Sequence, residues 1–198
     1  MMLFSAEGLG LHYSGRPEPA FQDVTLDIRE GEDLRLTGPS GAGKTSLMRV
    51  IAGLEHPTSG QISTSPKSVG MAFAEPRLLP QLTVMDNLLF VAPNAGNALQ
   101  KMLEMLMIDD LRDSKVTGLS KGQAQRVALI RCLSVRPQIV LLDEALGGLD
   151  HATWLIARDL ITSQRQENAF ALVEISHDPA RLIAPDARTI GIQQSRLC

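Results

Sequence analysis

Short stretches of alternating apolar and polar residues follow one another along the chain with longer segments whose apolar residues recur every three or four positions. The first pattern predicts strands and the second amphipathic helices. Their alternation is that of an α/β domain built on a largely parallel sheet. Leu9 to Tyr13 and Val24 to Ile28 read as the first strands, joined by the turn-rich Ser14 to Pro19 and followed by the turn Arg29-Glu30-Gly31-Glu32. This pair is expected to form an N-terminal antiparallel β subdomain. Asp33 to Thr37 then runs as a strand into a glycine-rich loop. Lys44 to Ala52 sets Leu47, Val50 and Ile51 on one helical face, with Gly53 as its C-terminal stop.

Beyond the turn His56 to Gly60, two short strands, Gln61 to Thr64 and Val69 to Phe73, lead into a helical region. Thr83 begins one helix with Asp86 three residues on. Leu99, Met102, Leu103, Leu106 and Met107 form the apolar stripe of a second, which reads as core. Glu75 to Gly118 is therefore expected to be an inserted helical subdomain, about 75–118. Leu78 and Leu79 within it serve equally well as core residues or as a docking place for a partner helix. Alternation then resumes: a helix from Ser120, a strand Gln138 to Asp143, a helix His151 to Gln164, a strand Phe170 to Ser176, a helix near Pro179 and a strand Arg188 to Ile192.

A length of 198 residues matches one domain spanning 1–198. The formal charge of −3 carries none of the basic excess that nucleic acid attracts, so no nucleic-acid partner is expected. Two cysteines, Cys132 and Cys198, are too few for a disulfide framework and read as thiols in a reducing compartment. The N-terminal segment lacks the basic start of a secretory signal, and no apolar run reaches the length of a spanning helix.

The strongest chemical signal is Gly38-Pro39-Ser40-Gly41-Ala42-Gly43-Lys44-Thr45, a full match to G-x-x-x-x-G-K-[ST] placed after a strand and before a helix. In that context backbone N–H groups turn inward around phosphate oxygens, and the positive end of the helix dipole faces the same point. Lys44 is then expected on the β and γ phosphates of ATP, Thr45 on a magnesium ion (Mg2+), and Ser46 beside them on the helix. The apolar run Ile139 to Leu142 ends in Asp143 and Glu144, which is how a buried parallel strand delivers carboxylates to the edge of a sheet where nucleotides bind. Asp143 suits magnesium held through water, and Glu144 suits the orientation or deprotonation of an attacking water. Ser120 and Gln123 form an S-x-x-Q capping box, so the helix they open presents free N–H groups to anions.

Together these residues resemble the nucleotide-binding subunit of ATP-binding cassette (ABC) transporters, over nearly the whole chain. Leu119-Ser120-Lys121-Gly122-Gln123 resembles the family's signature, Leu-Ser-Gly-Gly-Gln. Leu149-Asp150 matches its D-loop, Ser176-His177-Asp178 its switch-histidine segment, and Tyr13 the aromatic that stacks on adenine. The resemblance implies a P-loop NTPase fold and ATP hydrolysis with Glu144 as base and His177 on the γ-phosphate. It also implies composite sites in which Ser120, Gly122 and Gln123 of one subunit face the nucleotide held by a second nucleotide-binding subunit, by default a homodimer. Integral-membrane permease subunits would be the other partners, placing the chain in the cytoplasm at the inner face of the membrane. Glu75 to Pro80 resembles the importers of the family.

Three residues depart from the family pattern. Ala74 stands where a glutamine links the catalytic core to the helical subdomain, and a methyl group has no hydrogen-bonding atom for that task. Lys121 replaces a signature glycine, and Arg35 interrupts a strand that should be apolar on both faces. Ala74 and Lys121 are the sequence grounds for two other readings: a cassette without a transport role, such as a division-type ATPase, and a weakly hydrolysing regulatory module. Arg35 is expected to pair with an acid.

Overall fold

The computed structural model describes residues 1–193 and 196–197; Cys198 lies outside them. Strand β1 (Met2–Leu11) pairs antiparallel with β2 (Phe21–Arg29) on one side and with β4 (Ser59–Thr64) on the other. The antiparallel subdomain thus has three strands, the third supplied by a segment far along the chain. The first strand begins earlier than its alternation suggested and ends at Leu11, so Tyr13 lies beyond it. Irregular register within β1 explains the shift, because bulges break the period-2 signal.

The second sheet has the order β5 (Val69–Phe73), β6 (Ile139–Asp143), β7 (Ala171–Ile175), β3 (Asp33–Thr37), β8 (Arg188–Gln193), β9 (Arg196–Leu197). The first five are parallel, and β9 returns antiparallel to β8. Every residue of β6 and β7 is buried, as strands covered on both faces must be. Ile139, Leu141, Ala171, Val173 and Ile175 face a core shared with the antiparallel sheet and helix α1 (Lys44–Ile51). Val140, Leu142 and Leu172 face the other core, under α2 (Val84–Leu89), α3 (Gly96–Met105), α4 (Lys121–Ser134) and α5 (His151–Glu167). α1 ends where expected: the amides of Gly53 and Leu54 return to the carbonyls of Val50 and Arg49 in a Schellman closure.

The region expected to be a helical insertion holds α2, α3 and two short 3-10 turns, and Thr83 with Asp86 forms the capping box of α2. Leu99, Met102, Leu103 and Leu106 are buried as the stripe requires. Met107 is not part of it: the helix ends at Met105, and Met107 turns into a left-handed conformation with its side chain exposed. Partly buried Leu78 packs against the helical core. The helix expected near Pro179 is absent. Residues 178–187 form a succession of turns whose first amides are taken by Ser176 and Asp178 side chains, which compete with helical pairing.

Candidate functional site

Register decides where the chemistry gathers. Asp143 ends β6 opposite Ile175 of β7, and β3 lies on the other side of β7, so the loops after β3, β6 and β7 leave the same edge of the sheet. Those loops carry Gly38 to Gly43, Glu144 and His177. A cavity of about 450 Å³ opens among them, lined by Ser40, Gly41, Gly43, Lys44, Thr45, Ser46, Glu144 and His177. Carboxyl-end crevices of this kind are where α/β sheets bind ligands.

The glycine-rich loop is shaped by two close approaches. At Gly38, with φ 136°, a Cβ would collide with the carbonyl oxygen of Ile192, and at Gly43, with φ 94°, with that of Ala20. No side chain fits either place, so the tight turn of the loop requires glycine at both. Lys44 is buried to 7 % exposure, with its Nζ donating to the Gly38 and Pro39 carbonyls at 2.8 and 2.9 Å. The hydroxyl of Thr45 is hydrogen-bonded to Asp143. Burial raises the Asp143 carboxyl above the ordinary aspartate range, and the Thr45 bond, with the charges of Arg49 and Lys44, opposes that rise. A hydroxyl and a carboxylate meeting beside a phosphate cradle are the hard oxygen donors that magnesium takes, so these residues fit the ion the motif implies.

Glu144 sits one residue past β6 with φ 52°, in the left-handed region that costs a non-glycine residue about 1–2 kcal/mol. Its amide is fixed to the Ile175 carbonyl at 3.1 Å, and its Oε1 lies 3.0 Å from His177 Nε2. The strained turn is what swings the carboxylate out of the strand line and toward His177. Tyr13, although beyond β1, is brought to the loop: its hydroxyl donates to Ser46 Oγ at 3.3 Å.

The signature-like residues are not part of this cavity. Ser120 caps α4 through the box with Gln123, whose amide donates to Ser120 Oγ and whose Oε1 accepts from the Ser120 amide. Gly122 packs near Leu149. None of them lines the cavity around the phosphate loop of their own chain. Nothing in the sequence pattern marked Arg16 and Glu18, which also line the cavity, with the Arg16 guanidinium 5.8 Å from the centre of the Tyr13 ring. Gln125 was also missed. It is 2 % exposed, donates to the Ala74 carbonyl at 3.3 Å, and packs so closely on Gly148 that a Cβ there would strike its amide. No short motif contains it, because its contacts come from segments remote in sequence.

Comparison with known proteins agrees with this geometry. The family model described as ABC transporter matches residues 21–147, from β2 to the turn after Glu144. A sulfate/thiosulfate import ATP-binding protein of Escherichia coli is 37% identical over 196 residues, covering 88% of this chain and 54% of the relative. Its counterpart in Agrobacterium fabrum is 35% identical over 200 residues, covering 90% and 58%. The chain spans a little over half the length of the curated relatives it matches. Among solved structures, an ATP-binding cassette captured as a dimer in a post-hydrolysis state with ADP and Pi superposes with a TM-score of 0.88 at 25% identity, covering 98% of this chain and 96% of that one. With its phosphate loop, its strand-end carboxylates and a family match over most of its length, the chain belongs to the ABC transporter family.

Proposed function

We propose that this chain is the ATP-binding and ATP-hydrolysing part of an ABC importer, driving solute uptake through separate membrane-spanning subunits. The observation that carries the reading is the convergence of the Gly38–Ser46 loop, Asp143, Glu144 and His177 at one sheet edge. Among the described residues no helix is long and apolar enough to cross a membrane, which fits a path supplied by other chains. The word "import" in the names of the relatives supports uptake as the direction.

In this reading Tyr13 stacks on adenine, and the amides of residues 38–45 with Lys44 hold the β and γ phosphates. Thr45 and Asp143 would hold magnesium, which when bound would supply neutralisation of the phosphate charge. Glu144 takes a proton from the attacking water, and His177, 3.0 Å away, orients that carboxylate and meets the γ-phosphate. Ser120, Gly122 and Gln123, which do not line the cavity of their own phosphate loop, suit the nucleotide of a second copy, which favours a homodimer with two shared sites. The dimeric state of the cassette superposed above supports the same arrangement. The permease contact would place the chain at the inner face of the membrane.

The test is magnesium-dependent ATP turnover by the purified protein, beside Lys44→Ala, and recovery of the tagged chain from gently solubilised membranes. Turnover lost in Lys44→Ala and copurification of a multi-helix permease are the expected results. A protein that binds ATP without turnover refutes hydrolysis and leaves the regulatory reading that Ala74 suggests. Recovery only with soluble division or regulatory proteins refutes transport.

A further inference from the structure

Arg35 has no place in the chemistry above, yet it lies inside the sheet. It is the register partner of Glu174 on β7, and the two form an ion pair at 3.3 Å with side chains 14 % and 3 % exposed. A buried ion pair is weak evidence for stability, because desolvation offsets the attraction and apolar residues of like volume serve as well. What distinguishes this pair is where its remaining hydrogen bonds go. Glu174 Oε2 accepts from the Ile183 amide at 3.1 Å, and Arg35 Nη2 donates to the Ala184 carbonyl at 2.7 Å and the Pro185 carbonyl at 3.4 Å.

These are backbone groups of the 178–187 segment, where the expected helix does not form and internal pairing is sparse. The segment follows His177 directly. From it Arg181 reaches back, with Nη1 donating to the Leu149 carbonyl at 2.6 Å and its Nε 3.4 Å from Asp178. Leu149 precedes Asp150, the N-cap of α5. Glu174, His177, Asp178 and Arg181 line one cavity of about 340 Å³ with Glu144 and Trp154. A continuous chain of contacts thus joins the interior of the sheet to the backbone on both sides of the Glu144–His177 pair.

We propose that Arg35, Glu174 and Arg181 are positioning residues, a brace that stands in for the missing helix and sets His177 and the Leu149–Asp150 turn against Glu144. The inference rests on the hydrolytic reading of Glu144 and His177. Without the brace the phosphate loop keeps its own supports, so nucleotide binding survives while the geometry of the reacting groups loosens.

The experiment compares the parent, Arg35→Met with Glu174→Leu, Arg181→Met, and His177→Ala for melting temperature, KM and kcat. Replacing both charges at once leaves no buried charge without a partner, so the double variant is expected to stay folded. Its kcat is expected to fall by about tenfold to a hundredfold, the cost of a misplacement near 1 Å. KM for ATP is expected to stay within about threefold, since uniform binding is untouched. Arg181→Met, a change nearer the surface, should show the same split and decides the matter if the double variant does not fold. Parent kcat in folded variants, alongside a His177→Ala protein that has lost turnover, overturns the brace. Parent kcat in His177→Ala overturns instead the role of His177 on which the brace depends.

Discussion

Replacing Glu144 by Gln separates chemistry from architecture in a way the geometry makes quantitative. The amide has the volume of the carboxyl, it tolerates the left-handed backbone at φ 52° as well as glutamate does, and its oxygen still accepts from His177. The Glu144 and His177 side chains are 44 % and 55 % exposed, so the charge component of their contact contributes at most about 1 kcal/mol. In a domain of this size that corresponds to a melting shift of about 2–4 °C. The proton acceptor, by contrast, contributes about 10²–10⁴ in rate. At about 1.36 kcal/mol per tenfold, this is roughly 3–5 kcal/mol of barrier, several times the stability effect. The assay is phosphate release under excess ATP and magnesium, with ATP affinity by equilibrium dialysis and the melting temperature on the same preparation. The expected outcome is unchanged affinity, a melting shift inside that window and turnover lower by two to four decades. Turnover within about tenfold of the parent would falsify the assignment of Glu144 as base.

Other perturbations test neighbouring parts of the site. Ala74→Gln restores an amide to an exposed loop whose carbonyl is held by Gln125, and it is expected to raise ATP turnover at constant affinity; an unchanged rate shows that the site works without that group. Gly43→Ala drives a Cβ into the Ala20 carbonyl in a backbone conformation unfavourable to alanine, so ATP affinity should drop by at least about tenfold while the sheet still folds, as followed by circular dichroism. Asp143→Asn removes a carboxylate whose folded pKa is raised by burial. Native protein then binds more protons than unfolded chain just above the ordinary aspartate value, and the parent loses stability as pH rises through that window. The variant should lack this loss, melting higher than the parent at neutral pH without nucleotide and losing magnesium-dependent turnover; a lower melting temperature contradicts the sign. The Cys132 thiol, fully buried and pushed up to about 12, should react with thiol reagents only on unfolding in a Cys198→Ser background, and rapid labelling of native protein contradicts it.

Much of this protein is determined locally. The phosphate loop, the run Ile139 to Glu144, the capping boxes at Thr83 and Ser120 and the stop after α1 depend on residues a few positions apart, and period, turn chemistry and steric exclusion suffice to place them. The burial of β6 and β7 follows in the same way from uninterrupted apolar runs. Tertiary structure decided what depends on partners remote in sequence. The true extent of β1 depends on bulged pairing with two strands, and β4 joins β1 rather than the strand that follows it. The helix expected near Pro179 gives way to turns over 178–187, capped at their start by Ser176 and Asp178 and held further on by Arg35 and Glu174, a pairing that exists only once β3 lies beside β7. Gln125 and Arg181 acquire their contacts through the same assembly. Short-range periodicity carries information about a residue's own turn or strand, whereas which segment fills a hydrogen bond across the sheet is fixed by the competition among all segments for the same core.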